Sequence, residues 1–364
     1  MAEVADCRGS RLYWRLRGCE SCWATNLTAV ECKTSPMSAH RAENHEAIRT
    51  LVFRQQLLAW YDTNARDLPW RKDRDPYRVW VSEIMLQQTR VAAVIAHYHE
   101  FLRRFPTVKK LAAAREASVL AAWSGLGYYR RARMLHAAAK VVAGELGGKF
   151  PETAEGWRQL PGIGRYTAAA IASIAFGEPV AVVDGNVERV LQRISGEQIA
   201  GERLWESAES DLDRRRPGDF NQAMMELGAT VCTPRAPVCL TCPVVEMCST
   251  RGELLGGPKA VPQKKREVHY AFACRGDDVF LVQRARDESL MAAMWELPEI
   301  SRPKRRADPD FILRHSITVT DYSVRVWRVP APEASRGQWI AREKLGRVAL
   351  TGLARKILRM AELV

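Results

Sequence analysis

Residues 160–168 read LPGIGRYTA, with two glycines between a helical pattern that ends at Leu160 and another that begins after Gly164. Small residues at these positions let backbone amides approach a phosphate closely, and the following helix presents unpaired N–H groups at the positive end of its dipole. The segment therefore predicts a helix-hairpin-helix element that holds the DNA backbone through Gly162 and Gly164 without reading base sequence. A tight turn between two helices of a bundle is the alternative interpretation.

The flanking patterns divide the chain into two regions. Apolar residues recur at three- and four-residue spacing from about residue 46 to 227, which predicts a mainly helical region. Strand patterns and a final amphipathic helix later in the chain predict a small α+β domain. Glycines, prolines and the basic run KKR between them indicate a linker. The predicted boundaries are 1–40 for an N-terminal extension, 41–250 for the helical domain, 251–267 for the linker and 268–364 for the second domain.

Within the second domain the expected elements are specific. Residues 269–274 and 279–283 flank the turn RGDD and predict two strands, and a third is expected around residues 322–327. Residues 290–298 form an apolar, helix-like segment that ends at a proline, and residues 350–363 predict the closing amphipathic helix.

The composition favours a nucleic-acid-binding protein. Lys and Arg outnumber Asp and Glu by 55 to 42 among 364 residues, so the formal net charge is +13. This surplus indicates a polyanionic partner, and DNA or RNA over a membrane, because no basic amphipathic anchor and no run of about 18 apolar residues is present. The first 36 residues lack helical periodicity and indicate a disordered tail or a spurious upstream start. Their lone C-x-x-C pair, Cys19 and Cys22, is a weak metal or redox signal without a second pair.

Four cysteines are separated by six, two and five residues: Cys232, Cys239, Cys242 and Cys248. The prolines among them exclude a regular helix or central strand, so the segment needs another source of order. A single compact run with one C-x2-C suits all-cysteine ligation of a cubane iron-sulfur cluster, whereas zinc sites usually pair two C-x2-C knuckles across a longer loop. We predict a cluster loop over residues 232–248; zinc is the alternative.

Two acidic residues are candidates for chemistry. Asp184 follows an apolar run, precedes Gly185 and lies at a predicted helix N-terminus, where a capping carboxylate is an equally good interpretation. Glu83 lies within a strongly apolar helix pattern, and partial burial would raise its pKa and make it a proton donor or acceptor near neutrality. A solvent-facing Glu83 would be an ordinary surface acid. Nearby aromatic and cationic residues suit stacking on bases but also suit a core.

Several segments occur together in one order: LPWR at 68–71, VSEIMLQQT at 81–89, GLGYY at 125–129, the hairpin, VDGNV at 183–187 and the cysteine run. Together they closely resemble the adenine DNA glycosylases of the MutY type, within the endonuclease III helix-hairpin-helix superfamily, from about residue 46 to the C-terminus. The resemblance implies a mainly α catalytic region with a [4Fe-4S] cluster that organises a DNA-binding loop, followed by an α+β Nudix-like domain. It also implies that Glu83 and Asp184 are catalytic.

By this resemblance, the enzyme flips an adenine mispaired with 8-oxoguanine or guanine out of duplex DNA and hydrolyses its N-glycosidic bond. Glu83 would protonate adenine N7, and Asp184 would stay ionised and stabilise positive charge at the sugar. Asn186 would orient groups beside Asp184. Tyr166 occupies the position of the lysine nucleophile in bifunctional relatives, so base removal without strand cleavage is expected.

Other roles follow from the same resemblance. Gln88 and Tyr128 match residues that enter the base stack and help offset the cost of unstacking. The positions that match the adenine pocket are Arg66, Leu68, Trp70, Arg71, Leu86, Val91 and Gln222. The implied setting is a monomer acting on duplex DNA, without a membrane, in a bacterial cytoplasm and on the nucleoid.

The Nudix-like domain is expected to read 8-oxoguanine, but without the acid run of nucleotide hydrolases. The family's Phe-Ser-His recognition triplet aligns with Ile317, Thr318 and Val319. Thr318 keeps a hydroxyl, whereas Val319 offers no hydrogen bond. We therefore expect weaker discrimination for 8-oxoguanine, or recognition through other residues.

Two other functions use some of the same features. An endonuclease III-like glycosylase and lyase for oxidised pyrimidines shares the hairpin and the cluster, but Tyr166 in place of lysine and the second domain count against it. A non-catalytic iron-sulfur DNA-binding protein or redox sensor would need only the cluster and the positive charge. In that case, Glu83→Gln would leave its function intact.

Overall fold

The computed structural model describes residues 36–252, 262–288, 290–302, 308–317, 319–330 and 337–364. The chain forms two compact units, Met1–Ile48 and Arg49–Val364. Described residues of the first unit belong to the helix Pro36–Asn64. Residues 36–40 of the predicted extension belong to this helix, which has a proline at its first position, where a missing N–H costs no intrahelical hydrogen bond. Cys19 and Cys22 lie outside the described residues.

The region up to residue 230 is helical, as predicted. Its α-helices are α1 (Pro36–Asn64), α2 (Pro76–Leu86), α3 (Val91–Arg104), α4 (Val108–Ala112), α5 (Glu116–Trp123), α6 (Arg130–Gly144), α7 (Ala154–Arg158), α8 (Arg165–Ile171), α9 (Gly185–Ser195), α10 (Glu202–Asp211) and α11 (Pro217–Thr230). A short π-helical stretch, Ala172–Phe176, continues α8, and a 3₁₀ turn, Pro69–Arg71, precedes α2. Within the described part of the chain, no helix is long and apolar enough to cross a membrane.

Two apolar cores hold this region together. The first surrounds the fully buried indoles of Trp80, Trp123 and Trp157, on α2, α5 and α7. The second joins α1 to α9, α10 and α11, and Cys232 and Cys242 pack against it. Because α2 and α8 belong to the first core while α9 belongs to the second, side chains at the boundary between the cores face a common space. The candidate site lies there.

The last 100 residues form an α+β domain, which confirms the predicted fold class. In one sheet, β6 (Thr320–Arg328) lies between β1 (Lys264–Phe272), parallel to it, and β5 (Phe311–Ile317), antiparallel to it. In the other, β3 (Asp278–Gln283) pairs with β2 (Cys274–Arg275), β4 (Trp295–Glu296) and β7 (Gly337–Ala341). Helix α12 (Gly352–Met360) buries Leu353, Ile357 and Leu358 in the core of this domain.

Two details of the prediction are wrong. Strand β1 begins at Lys264, within the predicted linker, because its charged first residues are exposed but pair with β6 from Thr320 onward. The segment 290–298 is not a helix: Met291 and Ala293 have positive φ angles of 53° and 57°, which no α-helix contains, and the residues that follow form β4.

The α+β domain packs on the helical domain through the segments before β4 and before α12. Met294 and Ala349 join the tryptophan-centred core. The Ser124 and Tyr129 hydroxyls both donate hydrogen bonds to the Leu350 carbonyl, at 2.8 and 3.1 Å. The second domain is thus anchored directly behind the loop that carries Tyr128.

Candidate active site

Glu83 lies in the middle of α2 and is only 6% exposed. Its helix is apolar on nearly every side, so the carboxyl is carried into the protein by the packing of its neighbours. The pKa of Glu83 is raised to about 7, chiefly by burial; the hydrogen bond from Tyr166 lowers this pKa, and the nearby charge of Asp184 raises it. Glu83 is therefore a buried acid that titrates near neutrality, and it is not the surface carboxylate of the alternative interpretation.

Tyr166 is the second residue of α8, directly after the hairpin glycines. Its hydroxyl donates a hydrogen bond of 2.9 Å to Glu83 Oε2 and contacts Met225 Sδ at 3.4 Å. Burial holds the pKa of Tyr166 well above its ordinary value, so the hydroxyl remains a donor. The hydroxyl therefore orients the Glu83 carboxyl.

The hairpin itself requires glycine at its first position. Gly162 has φ +76°, and a Cβ there would lie 2.4 Å from Met134 Cβ, so any side chain would clash as well as strain the backbone. Gly164 is the N-cap residue of α8 and has open space around it. The backbone thus turns tightly and leaves the N-terminus of α8 accessible.

Asp184 is the N-cap of α9, as the structural interpretation of its position predicts. Its Oδ1 accepts from the backbone N–H groups of Asn186 and Val187 at 2.9 and 2.8 Å, and its Oδ2 accepts from Asn186 Nδ2 at 2.8 Å. Three donors fix the orientation of this carboxylate. Capping and an electrostatic role at the site are therefore compatible, because one hydrogen-bonded carboxylate serves both.

A cavity of about 620 Å³ brings most of the sequence-predicted residues together. It is lined by Glu83, Tyr166, Asp184 and Asn186, and also by Arg66, Leu68, Trp70, Arg71, Leu86, Gln88, Val91, Gly164 and Gln222. Tyr128 and Gly162 instead line a neighbouring cavity of about 780 Å³, which Gln88 shares and which reaches Ile317 of the second domain. Thr318 lies outside the described residues.

Sequence reasoning missed Glu226, which also lines the smaller cavity. This side chain is 1% exposed. It accepts two hydrogen bonds from the Arg66 guanidinium, at 2.6 and 2.8 Å, one from the Arg66 backbone N–H at 3.2 Å and one from Arg71 at 2.9 Å. The buried carboxylate thereby holds two guanidinium groups at the cavity wall. Its signal in the sequence was an acid four residues after Gln222, on the same face of an otherwise apolar helix.

Arg189 was also missed, and it connects the site to the cysteine loop. Its guanidinium donates to Asn186 Oδ1 at 2.8 Å, to the Gly228 carbonyl at 2.7 Å and to the Cys232 carbonyl at 2.8 Å. The same helix α9 therefore carries the Asp184 cap at its start and the support of the loop one turn later.

The four predicted ligand cysteines are half-buried free thiols. Arg193, also on α9, donates to Cys232 Sγ at 3.2 Å, and its backbone carbonyl lies 3.3 Å from Cys248 Sγ. Burial, followed by the neighbouring Cys232 and Cys248, raises the pKa of Cys239 and Cys242, so the thiols crowd one another electrostatically. A cationic centre would relieve that crowding by stabilising thiolates.

Within the described ranges, no three His, Cys, Asp or Glu side chains converge closely enough to hold a single metal ion. A cubane cluster carries its iron atoms at separate corners and so spreads its ligand sulfurs wider than one tetrahedral ion does. The four unpaired thiols on one compact loop, beside an arginine that donates to sulfur, therefore fit a cluster as a donor set.

Comparison with known proteins supports the class of protein that the sequence motifs predict. Residues 81–206, which include the hairpin and both acids, match the HhH-GPD superfamily of base excision DNA repair proteins. A solved thermostable thymine-DNA glycosylase superposes with a TM-score of 0.54 at 32% identity, over 57% of this chain and 98% of that one. The helical region thus has the fold of a DNA glycosylase with a helix-hairpin-helix element.

Proteins of similar sequence show which kind of DNA glycosylase this chain resembles. The adenine DNA glycosylase of Mus musculus is 37% identical over 85% of this chain and 78% of its own length. That of Homo sapiens is 52% identical over 55% of this chain, but the match spans only 39% of the human protein. The chain belongs to the adenine DNA glycosylase family, enzymes of base excision DNA repair, as its motifs predict.

Proposed function

We propose that this enzyme hydrolyses the N-glycosidic bond of adenine mispaired with 8-oxoguanine or guanine in duplex DNA, after flipping the adenine into the cavity beside Glu83. The observation that carries the proposal is the pairing of two unlike acids in one cavity. Glu83 is buried with a pKa of about 7, while Asp184 is held by three hydrogen-bond donors. One group can give a proton near neutral pH, and the other can remain an anion.

The reaction follows from these two environments. The C1′–N9 bond breaks with its electron pair going to the purine, which takes the Glu83 proton at N7 and leaves as neutral adenine. The ionised Asp184 stabilises the positive charge that develops at the sugar ring. Water then adds to C1′, and its proton passes to the carboxylate on Glu83, which restores the acid. Asn186 keeps Asp184 oriented, and Tyr166 orients Glu83.

Recognition of the flipped base would use the remaining walls of the cavity. Arg66 and Arg71, held by Glu226, offer donors to the ring nitrogens, and the apolar side chains enclose the ring faces. Gln88 lines this cavity and also the larger neighbouring cavity, which Tyr128 lines as well. These two side chains would fill the gap that the extruded base leaves, which offsets part of the unstacking cost of about a few kcal/mol.

A [4Fe-4S] cluster bound by Cys232, Cys239, Cys242 and Cys248 is part of the proposal. It would order the loop against the phosphate backbone and take no part in hydrolysis. Analysis of the purified protein should find about four iron and four sulfide atoms per chain. Stoichiometric zinc without iron would instead support the zinc alternative.

Action as a monomer on nucleoid DNA of a bacterial cytoplasm also stays a prediction. The matched relatives come from mammals, a plant, a yeast and bacteria, so they are compatible with either kind of source. Light scattering of the protein bound to a short duplex would test the stoichiometry.

The proposed activity is tested by single-turnover base release from four duplexes, which carry A opposite 8-oxoguanine, A opposite G, A opposite T or an oxidised pyrimidine. Each is analysed with and without alkali. Breaks only after alkali, and only in the two mispaired duplexes, would support it. Alkali-independent cleavage at the oxidised pyrimidine would favour the lyase alternative. DNA binding without any release, unchanged in Glu83→Gln, would favour the sensor.

The same assay tests discrimination at the opposite base. With Ile317 and Val319 on either side of Thr318, we propose that 8-oxoguanine is preferred less strongly over guanine than the Phe-Ser-His triplet would allow. Equal rates on the two mispairs would support this, and a strong preference for 8-oxoguanine would contradict it.

A further inference from the structure

Arg131, on α6, is a half-buried arginine that has no part in the roles proposed for Glu83 and Asp184. Its two terminal nitrogens are surrounded by six oxygen acceptors, five of them backbone carbonyls. They are the carbonyls of Ile84 (2.9 Å), Met85 (3.0 Å), Gln87, Leu126 (3.1 Å) and Gly127 (3.3 Å), and Thr89 Oγ1 (3.0 Å). This many acceptors on one side chain means that the guanidinium organises the backbone around it.

Three of these acceptors belong to the end of α2, the helix that carries Glu83. The last carbonyls of an α-helix have no partner within the helix, and they form the negative end of its dipole. Arg131 supplies both donors and a positive charge at this point. Burial lowers the pKa of Arg131 to about 10, so the side chain remains a cation at neutral pH.

Of the remaining acceptors, Thr89 Oγ1 lies just after α2, whereas the Leu126 and Gly127 carbonyls lie in a second turn just before Tyr128. Arg131 therefore joins two separate loops. Gln88 and Tyr128 each have a positive φ, +53° and +47°, a conformation that L-residues other than glycine seldom adopt. Gln87 and Thr89, which flank Gln88, and Gly127, which precedes Tyr128, are all held by Arg131. The guanidinium also lies 5.4 Å from the centre of the Tyr128 ring.

Both strained residues face the larger cavity, and Tyr128 is 46% exposed. An exposed aromatic ring and an amide side chain, projected from two turns beside the site, are suited to insertion between bases only if their backbones are fixed beforehand. Lysine could not replace Arg131 here, because a single ammonium cannot reach acceptors on both sides as the planar fork does.

We propose that Arg131 is a positioning residue that holds Gln88 and Tyr128 as a preformed wedge, and that it thereby sets the rate at which the target base leaves the stack. The inference rests on the proposed function and assigns two of its steps to different residues. Arg131 governs extrusion of the base, whereas Glu83 and Asp184 govern cleavage.

The test compares Arg131→Lys with wild type on two duplexes that carry the same A·8-oxoguanine mispair. In one duplex the neighbouring pairs are matched, and in the other they are mismatched, so that unstacking is easier. Extrusion is followed by the fluorescence of 2-aminopurine in place of adenine, and cleavage by single-turnover release. Arg103→Lys is the matched control, because Arg103 is an exposed arginine on α3 that pairs only with Glu100.

We expect Arg131→Lys to slow extrusion and release at least tenfold in the matched duplex and less than threefold in the mismatched one. The pH at which release declines should not move, since Glu83 sets it. Equal slowing on both duplexes, or no slowing on either, would overturn the proposal. If Arg131→Lys does not fold, Thr89→Val removes one acceptor and should show a smaller effect of the same pattern.

Failure of the proposed function would look different. Wild-type protein would then release no adenine from any mispair, yet the 2-aminopurine signal would still compare extrusion in wild type and variant. Release by wild type together with identical extrusion in Arg131→Lys would contradict the role of Arg131 alone.

Discussion

Replacing Tyr166 with phenylalanine removes one hydrogen bond from Glu83, the proposed catalytic acid, and should shift the pH dependence of adenine release. The Tyr166 hydroxyl donates to Glu83 Oε2 at 2.9 Å, and this contact lowers the pKa of Glu83, which burial chiefly raises and which lies at about 7 with the hydrogen bond in place. Without the donor, the ionised form of Glu83 loses stabilisation in an apolar cavity. The protonated form is then favoured up to a higher pH.

The size of the shift follows from the energy of that bond. A hydrogen bond to a charged group contributes about 1.5–3 kcal/mol, and one pKa unit corresponds to about 1.4 kcal/mol. The neutral carboxyl also accepts from the hydroxyl, although more weakly, so the difference between the two forms is about one unit. In wild type, release that needs protonated Glu83 should decline above about pH 7. In Tyr166→Phe the decline should begin near pH 8, about one unit higher.

The assay is single-turnover adenine release from an A·8-oxoguanine duplex across pH 5.5 to 9.5, at saturating enzyme. Tyr77→Phe serves as the matched control, because Tyr77 is a buried tyrosine of α2 whose hydroxyl donates to the Phe105 carbonyl at 2.7 Å, away from the cavity. It should leave the decline where it is in wild type. A decline in Tyr166→Phe that stays in place or moves to lower pH would refute the assignment of Glu83 as the acid that Tyr166 tunes.

Three further outcomes follow from the site. The pKa of Glu83 is about 7 in the folded protein, above its ordinary value of 4.5. Between pH 4.5 and 7 the folded protein therefore holds a proton that the unfolded chain releases, and the stability that this proton contributes is lost as the pH rises through about 7. Glu83→Gln should therefore gain up to about 3 kcal/mol over wild type at pH 8 and far less at pH 4.5, by urea denaturation. Asp184→Asn should reduce release by about 10²–10³-fold yet unfold within about 1 kcal/mol of wild type, since asparagine also caps helices; a large loss of stability would mean that the carboxylate is needed for folding. Glu226→Gln should destabilise the protein by about 3 kcal/mol, because it weakens pairing to two arginines in a buried setting, whereas Glu202→Gln, at an exposed pair with Arg165, should change unfolding little.

The sequence predicted the features that depend on local chemistry. The glycine pair of the hairpin, the apolar periodicity around Glu83 and the position of Asp184 before Gly185 are each set by a few neighbouring residues. What it could not supply are contacts between distant segments. Glu226 is 160 residues from Arg66, and Arg131 reaches α2 more than 40 residues earlier in the chain. The helix predicted at 290–298 is absent for a related reason. The segment is apolar because it packs on the helical domain, and hydrogen bonds from Arg133, Gln283 and Arg284 to its carbonyls fix its turns.

In the proposed mechanism, two acids of nearly equal intrinsic strength take opposite roles because of their places in the secondary structure. Glu83 lies in mid-helix, where the backbone N–H groups are already used, so the Tyr166 hydroxyl and the charge of Arg71 offset only part of its desolvation. Asp184 lies before the first turn of α9, where free N–H groups stabilise the anion. That helix is in turn fixed by Arg189, which reaches Asn186 at one end and the Cys232 carbonyl at the other, and by Gly228, where a Cβ would lie 2.6 Å from Asn186 Cβ. The order of the cysteine loop and the orientation of the Asp184 carboxylate therefore depend on the same helix, although the loop itself lies outside the cavity.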